Sequence, residues 1–259
     1  MKLQELYEEG SKAEAKSLGD LKIMFAADGG IKGELIIDTS MNKTAINIES
    51  LEGGPKIVRG KFSLRNMSKL QSLIGGPEEV GSFCVMDCDL RSLEGFPKKV
   101  ESGNVTLTLN PKLGSLKGLP DVDGELFMAH CGLTSLKGCP EKVKEFSCAM
   151  NPLTSLEGCP RMVDGEFIAN NCKLESLHNI HKHIDYIGLE KGFTVDFDLV
   201  DNPIKSHVLG LLKIKGNFTV KMSNVKVKKI INKYLRGNRN MLECQHELID
   251  AGFEDFAQL

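Results

Sequence analysis

Three groups of residues in this sequence have side chains that could form a chemical site. The eight cysteines come first: Cys84, Cys88, Cys131, Cys139, Cys148, Cys159, Cys172 and Cys244. A thiolate is a nucleophile and a metal ligand. No C-x-x-C pair and no zinc spacing occurs among them, so the pattern gives neither a disulfide framework nor a metal knuckle. Reduced thiols, no bound metal and a cytosolic compartment are expected. The second group is His178, His181 and His183, with Asp185 nearby. Imidazole and carboxylate are good ligands, but a compelling fourth ligand is missing and an exposed loop is the expectation. The third group is Glu125, Glu145 and Glu166, which recur at a nearly constant spacing. No phosphate loop, triad spacing or paired catalytic carboxylates are visible, so neither enzymatic activity nor a cofactor is expected.

A repeat positions all three groups. The phrase Leu-x-Ser-Leu recurs at Leu70–Leu73, Leu90–Leu93, Leu113–Leu116, Leu133–Leu136, Leu153–Leu156 and Leu174–Leu177, with a weaker copy at Ile48–Leu51. Glycine follows two residues later, at Gly53, Gly75, Gly95, Gly118, Gly138 and Gly158. Proline follows two residues beyond that, at Pro55, Pro77, Pro97, Pro120, Pro140 and Pro160. A fixed period of this size marks stacked coils, each burying its apolar side against its neighbours. One unit runs Val143-x-x-Phe146-x-Cys148-x-x-Asn151-x-Leu153-x-x-Leu156. Phe146 and Cys148 point inward from a short strand. Asn151 turns the chain and hydrogen-bonds backbone groups of neighbouring coils. Leu153 and Leu156 fill the core behind the strand. Gly158 and Pro160 fix an extended return on the convex side, where proline prevents a long helix.

This unit absorbs most of the thiols. Cys88, Cys131 and Cys172 fall in the slot of Asn151, Cys148 is inward, and Cys139 and Cys159 share the Gly-x-Pro turn. It also gives the glutamates a geometry. Glu125, Glu145 and Glu166 occupy one outward slot in three successive coils and should stack into an acidic stripe on the concave face, the usual binding surface of a solenoid. Phe127, His130 and Ile168 sit beside the stripe, and Tyr186, Asp196 and Asp198 are expected to continue the surface. A partner protein with a basic surface would relieve the repulsion. The blander reading is that these charges keep an open sheet soluble.

The solenoid is expected over residues 31–224, with earlier strands at Gly33–Ile37 and later ones at Phe197–Leu199 and Gly216–Val220. The rhythm breaks between His178 and Lys191, where an irregular turn or an inserted strand near Ile187 is expected. Residues 1–30 read as a helical cap and 225–259 as a second one. Ile230, Ile231, Tyr234 and Leu235 mark its first helix. Asn240 with Glu243 caps the second, whose apolar side is Leu242, Leu248 and Ile249 and whose stop is Gly252.

The wording of the repeat resembles the short bacterial class of leucine-rich repeats, and more closely a leucine-rich-repeat family encoded by tailed bacteriophages. The residues that carry it are Glu145–Pro160, reading E-F-S-C-A-M-N-P-L-T-S-L-E-G-C-P, the stretch Asn202–Gly210, and the tail from Leu242 through Phe253. The resemblance spans about residues 31 to 259 and implies a leucine-rich-repeat solenoid of roughly eight to ten coils and a phage origin. It implies no common biochemical role.

Composition sets the outer bounds. The chain has 259 residues, 41% hydrophobic and 26% charged, with a formal net charge of -2. Such a balance advertises neither nucleic acid nor membrane. With no tryptophan and 6% aromatics, an aliphatic core is expected. The first residues lack a basic stretch followed by an apolar run, so no secretory signal is expected. Charge is nevertheless uneven: from Lys205 to Arg239 there is no Asp or Glu, while Lys213, Lys215, Lys221, Lys226, Lys228 and Lys229 form a candidate basic patch. Basic residues bind phosphates in a salt-dependent way, but Phe218 and Tyr234 are core positions, leaving no base-stacking aromatics there. The expected function is a non-enzymatic protein-binding scaffold, a phage accessory protein acting on a host protein in the host cytoplasm. The alternative is a nucleic-acid- or virion-associated protein using the basic region, and a weaker one an enzyme with a site in the irregular coil.

Overall fold

The computed structural model describes residues 30–31, 33–38, 48–188 and 193–259. The expected N-terminal helix therefore lies outside the described residues. The recurring phrase acts locally, as a turn. In Leu156-Glu157-Gly158-Cys159 the amide of Cys159 donates to the carbonyl of Leu156 at 3.1 Å, and Gly158 takes a φ of 82°. A positive φ at the third residue defines a type II turn, which favours glycine there. The serine before it has a job as well: Ser155 Oγ accepts from the Glu157 amide at 3.0 Å, and Ser135 and Ser115 do the same one and two coils earlier.

Between the turns lie short strands. They are β1 (Leu35–Asp38), β2 (Ile57–Arg65), β3 (Glu79–Met86), β4 (Lys99–Val100), β5 (Val105–Thr106), β6 (Glu125–Phe127), β7 (Lys142–Val143), β8 (Glu145–Ser147), β9 (Met162–Val163), β10 (Phe167–Ile168), β11 (Tyr186–Ile187), β12 (Val195–Asp198) and β13 (Phe218–Lys221). The main sheet runs β1-β2-β3-β5-β6-β8-β10-β12-β13, with β4 attached to β3. Its strands pair in parallel along the whole path, so the chain is a parallel β-solenoid. A second sheet of three strands, β11-β9-β7, lies just upstream of the main one in the later coils. The early coils make the bend between the two rows inside one strand. There Gly81 approaches the preceding coil so closely that a Cβ would sit 2.4 Å from the Arg59 carbonyl oxygen.

The core is largely aliphatic, as expected, but an aromatic row runs through it. In register with one another stand Phe62, Phe83, Val105, Leu126, Phe146, Phe167, Phe197 and Val220, and the phenylalanines of this row are buried. Adjacent rings meet at centroid distances of 4.9 Å for Phe146–Phe167 and 4.7 Å for Phe167–Phe197. A low aromatic content thus conceals a concentrated one, because parallel stacking gathers one residue per coil into a single row. Leu133, Leu136, Leu153 and Leu156 pack behind it, all buried.

The irregular coil contains a helical turn, α1 (Ile180–His183), and the strand β11, which joins the second sheet instead of the main one. After a 3-10 helix at Leu209–Lys213 and strand β13 come α2 (Val225–Arg236) and α3 (Met241–Asp250). Asn224 caps α2 by accepting from the Val227 amide at 3.1 Å. Val227, Ile230, Ile231, Tyr234 and Leu235 are buried, and α2 packs against β13 at the end of the stack. Asn240 caps α3 as expected, its Oδ1 accepting from the Glu243 amide at 3.2 Å. The return bond runs from Asn240 Nδ2 to the Glu243 carboxylate. The end of α3 is a Schellman turn: Gly252 N–H donates to Ile249, Phe253 N–H donates to Leu248, and Gly252 has a φ of 80°. One expectation fails here. Cys244 and Leu248 are the buried residues of α3, whereas Leu242 and Ile249 are 61% and 42% exposed. Among the described residues no helix is long and apolar enough to cross a membrane.

Candidate functional site

Strand register decides which side chains meet on the open face of the main sheet. Glu125 is paired with Glu145. Phe146 is paired with Phe167 and Phe167 with Phe197, so Glu166 stands beside Glu145 and Asp196 beside Glu166. One row therefore holds four consecutive carboxylates. The next row, two residues on, reads Phe127, Ser147, Ile168, Asp198 and Lys221. The structure thus brings together Glu125, Glu145, Glu166, Asp196, Phe127, Ile168 and Asp198.

The row is not uniform electrically. At its end Asp196 is bound by Lys221 Nζ at 2.8 Å and accepts from Thr219 Oγ1 at 2.9 Å. Burial pushes its carboxyl up, but those two hydrogen bonds together with the charges of Lys221 and Arg236 hold it below the usual aspartate range. Asp198 accepts from Asn170 Nδ2 and from the Val200 amide. Among the described residues no ion pair reaches Glu125, Glu145 or Glu166. The middle one shows the consequence: Glu145 is raised above the ordinary glutamate value, first by burial and then by the charges of Glu125 and Glu166. An open depression of about 310 Å³ adjoins the row, lined by Glu125, Glu145, Asp164, Lys144, Phe193 and Val195. Phe193 is 71% exposed. Asp164 pairs with Lys142 at 3.2 Å, while its Oδ1 is buried without a hydrogen-bond partner.

Two expected members lie elsewhere. Tyr186 belongs to the second sheet, half-buried between Met162 and Lys215, because the irregular coil shifts it out of the main register. His130 sits past the end of β6 in a left-handed conformation, φ 56°. It belongs to a column of left-handed residues, one per coil: Asn66, Asp87, Leu109, His130, Met150, Asn171 and Asp201. Asn and Asp adopt this conformation readily, yet the three middle coils carry Leu, His and Met. Leu109 is 41% and Met150 52% exposed. Sequence reading missed these two and, in the lining of the depression, Lys144, Asp164, Phe193 and Val195. The signal for the first pair was present, an apolar residue where other coils have Asn or Asp. For Phe193 there was none, because it lies in the coil that breaks the period.

The residue after each left-handed position enters the core and ties the coils together. Asn151 Nδ2 donates to the carbonyls of Met128, Cys148 and Ala149, and its Oδ1 accepts from the amides of Cys131 and Leu133. Asn202 repeats the arrangement. In the same slot Cys131 Sγ donates to Leu107 O at 2.7 Å and Cys172 Sγ to Cys148 O at 3.5 Å. All eight cysteines are free thiols, and burial pushes Cys88, Cys131 and Cys139 up to about 12. Cys88, Cys131 and Cys172 act as structural donors through their thiols. Of the histidine group, His178 stacks edge-on against His207 at 4.9 Å. Asp185 is engaged by Arg161 through two bonds of 2.8 Å. No cluster of three or more metal-ligating side chains occurs among the described residues.

The basic residues spread over several elements. Lys221 belongs to the acidic face through Asp196. Lys213 ends the 3-10 helix, and Lys215 bridges to Tyr186. Lys226, Lys228 and Lys229 lie in the first turns of α2, with no acidic residue beside them there. Searches against family models, curated proteins and solved structures return no match.

Proposed function

We propose that this chain is a non-enzymatic binding scaffold of the leucine-rich-repeat class, and that it engages a basic protein surface through the carboxylate row of its main sheet. The observation that carries the reading is Glu145. It is flanked in register by Glu125 and Glu166, and burial and both neighbours raise its carboxyl. Glu125, Glu145 and Glu166 repel one another and have no ion pair among the described residues, so they gain charge-assisted hydrogen bonds when Lys or Arg arrives. Phe127 and Ile168, one row away, add apolar contact next to the charge. The resemblance of the repeat to a phage-encoded family supports placing this role in the cytoplasm of an infected cell.

The test is kinetic. A partner captured with wild type from host lysate is measured against Glu125→Gln/Glu145→Gln/Glu166→Gln, against Phe127→Ala, and against Lys137→Gln on an outer turn. Charge removal should slow association and flatten its salt dependence, and loss of Phe127 should raise the off-rate. A folded triple variant that binds like wild type defeats the reading.

A further inference from the structure

We infer that the carboxylate row is a docking site for helix α2 of a second copy of this chain. The inference rests on the binding role proposed for the row and adds the identity of the partner. Lys226, Lys229, Lys233 and Arg236 are all exposed on α2, on the side away from its buried residues. At 3.6 residues per turn they fall within an arc of about 80°, separated along the axis by about 4.5, 6 and 4.5 Å. Neighbouring strands lie about 4.8 Å apart, so Glu125, Glu145 and Glu166 present carboxylates at nearly the same pitch. A helix laid along the stack, crossing the strands, meets one glutamate with each of Lys226, Lys229 and Lys233.

Each surface keeps charges that its own chain leaves without an ion pair among the described residues: Glu125, Glu145 and Glu166 on the row, Lys226 and Lys229 on the helix. Among the described residues Lys226 and Lys229 have no ion pair. Lys233 reaches Glu247 at 2.5 Å yet stays 62% exposed. Cations in the first turns of a helix oppose its dipole, and α2 has no acidic residue there to offset this. An external row of carboxylates removes that cost. The same chain cannot supply it, because the apolar side of α2 is fixed against β13 at the end of the stack. Row and helix are different surfaces, so either two copies dock row to helix reciprocally about a two-fold axis, or the contact propagates head to tail.

Sedimentation of the full chain at low and high salt tests this. Wild type should associate with rising concentration, and salt should weaken the association. Two variants, each checked for wild-type circular dichroism, separate the surfaces: Glu125→Lys/Glu145→Lys/Glu166→Lys, and Lys226→Glu/Lys229→Glu. Each alone should lose self-association by at least about tenfold. Mixed together they should regain it, since the reversed row now faces a reversed helix while the native row of one meets the native helix of the other. Wild type that stays monomeric at low salt overturns the inference, as does a mixture that stays dissociated. An oligolysine peptide, titrated into wild type and into the Glu→Gln triple variant, judges the underlying reading separately. Binding lost in the variant keeps the row as a basic-partner site even where self-association fails, and no binding to either removes both. Monomeric wild type whose α2 lysines bind heparin assigns that helix to a polyanion and sinks the proposed contact.

Discussion

Asn151 shows how much of this fold hangs on single side chains. Its amide closes five hydrogen bonds to backbone groups of its own and the preceding coil. Asn151→Ala leaves buried donors and acceptors without partners and should cost about 3 kcal/mol or more in chemical denaturation. Asn151→Cys should cost less, since Cys131 and Cys172 already serve that slot through their thiols. Met150, one residue earlier, predicts the opposite sign. It is half exposed and left-handed at φ 56°, so Met150→Asn should stabilise by about 0.5–1 kcal/mol. Glu145 makes stability depend on pH. Its carboxyl is raised in the folded state by burial and by Glu125 and Glu166, so ionising it weakens the native state. Glu145→Gln should therefore raise the melting temperature at pH 7. The gain should fade as pH drops below the ordinary glutamate value of about 4.3. A gain that persists in acid would mean that charge is not its cause.

Each coil combines a strand, a left-handed corner and a type II turn, and packing couples them. Leu136 and Leu156 lie in adjoining coils behind the strands and are both buried. Either one changed to Ala should cost about 2–5 kcal/mol, read as a lower denaturation midpoint. Phe167→Ala should cost about 3–5 kcal/mol, because two rings lean on it. Much of this was legible in the sequence: the Gly158 turn, the Asn151 slot and the Glu125–Glu145–Glu166 row all follow from one register. The phenylalanine row was hidden by averaging, since composition counts residues and stacking concentrates them. Tyr186 and Phe193 were not legible, because both lie in the coil that breaks the period, where register transmits no position. The apolar side of α3 was misassigned because Leu242 and Cys244 both fit a helical stripe, and packing against the stack selects Cys244.

At the scale of the molecule, charge runs along the stack. Residues 205–239 contain no acidic side chain and the remainder carries an excess of them. One end therefore presents lysines while the middle presents Glu125, Glu145 and Glu166. Association through these surfaces should be strongest at low ionic strength and fade as the Debye length shrinks to about 8 Å at physiological salt. The thiol ladder has a separate use. Buried cysteines mark four coils, Cys84 with Cys88 in one, Cys131 in a second, Cys148 with Cys159 in a third and Cys172 in a fourth, and Cys244 marks α3. Burial pushes Cys131 and Cys244 up to about 12 and holds Cys148 well above the ordinary thiol range, so alkylation of these three in native buffer waits for local opening. Mass spectrometry of labelled peptides over time then becomes a set of clocks along the chain. In a stack stabilised between nearest neighbours, ends open before the middle, so Cys244 should be modified well before Cys131 or Cys148. Simultaneous modification would show instead that the stack opens as one cooperative unit.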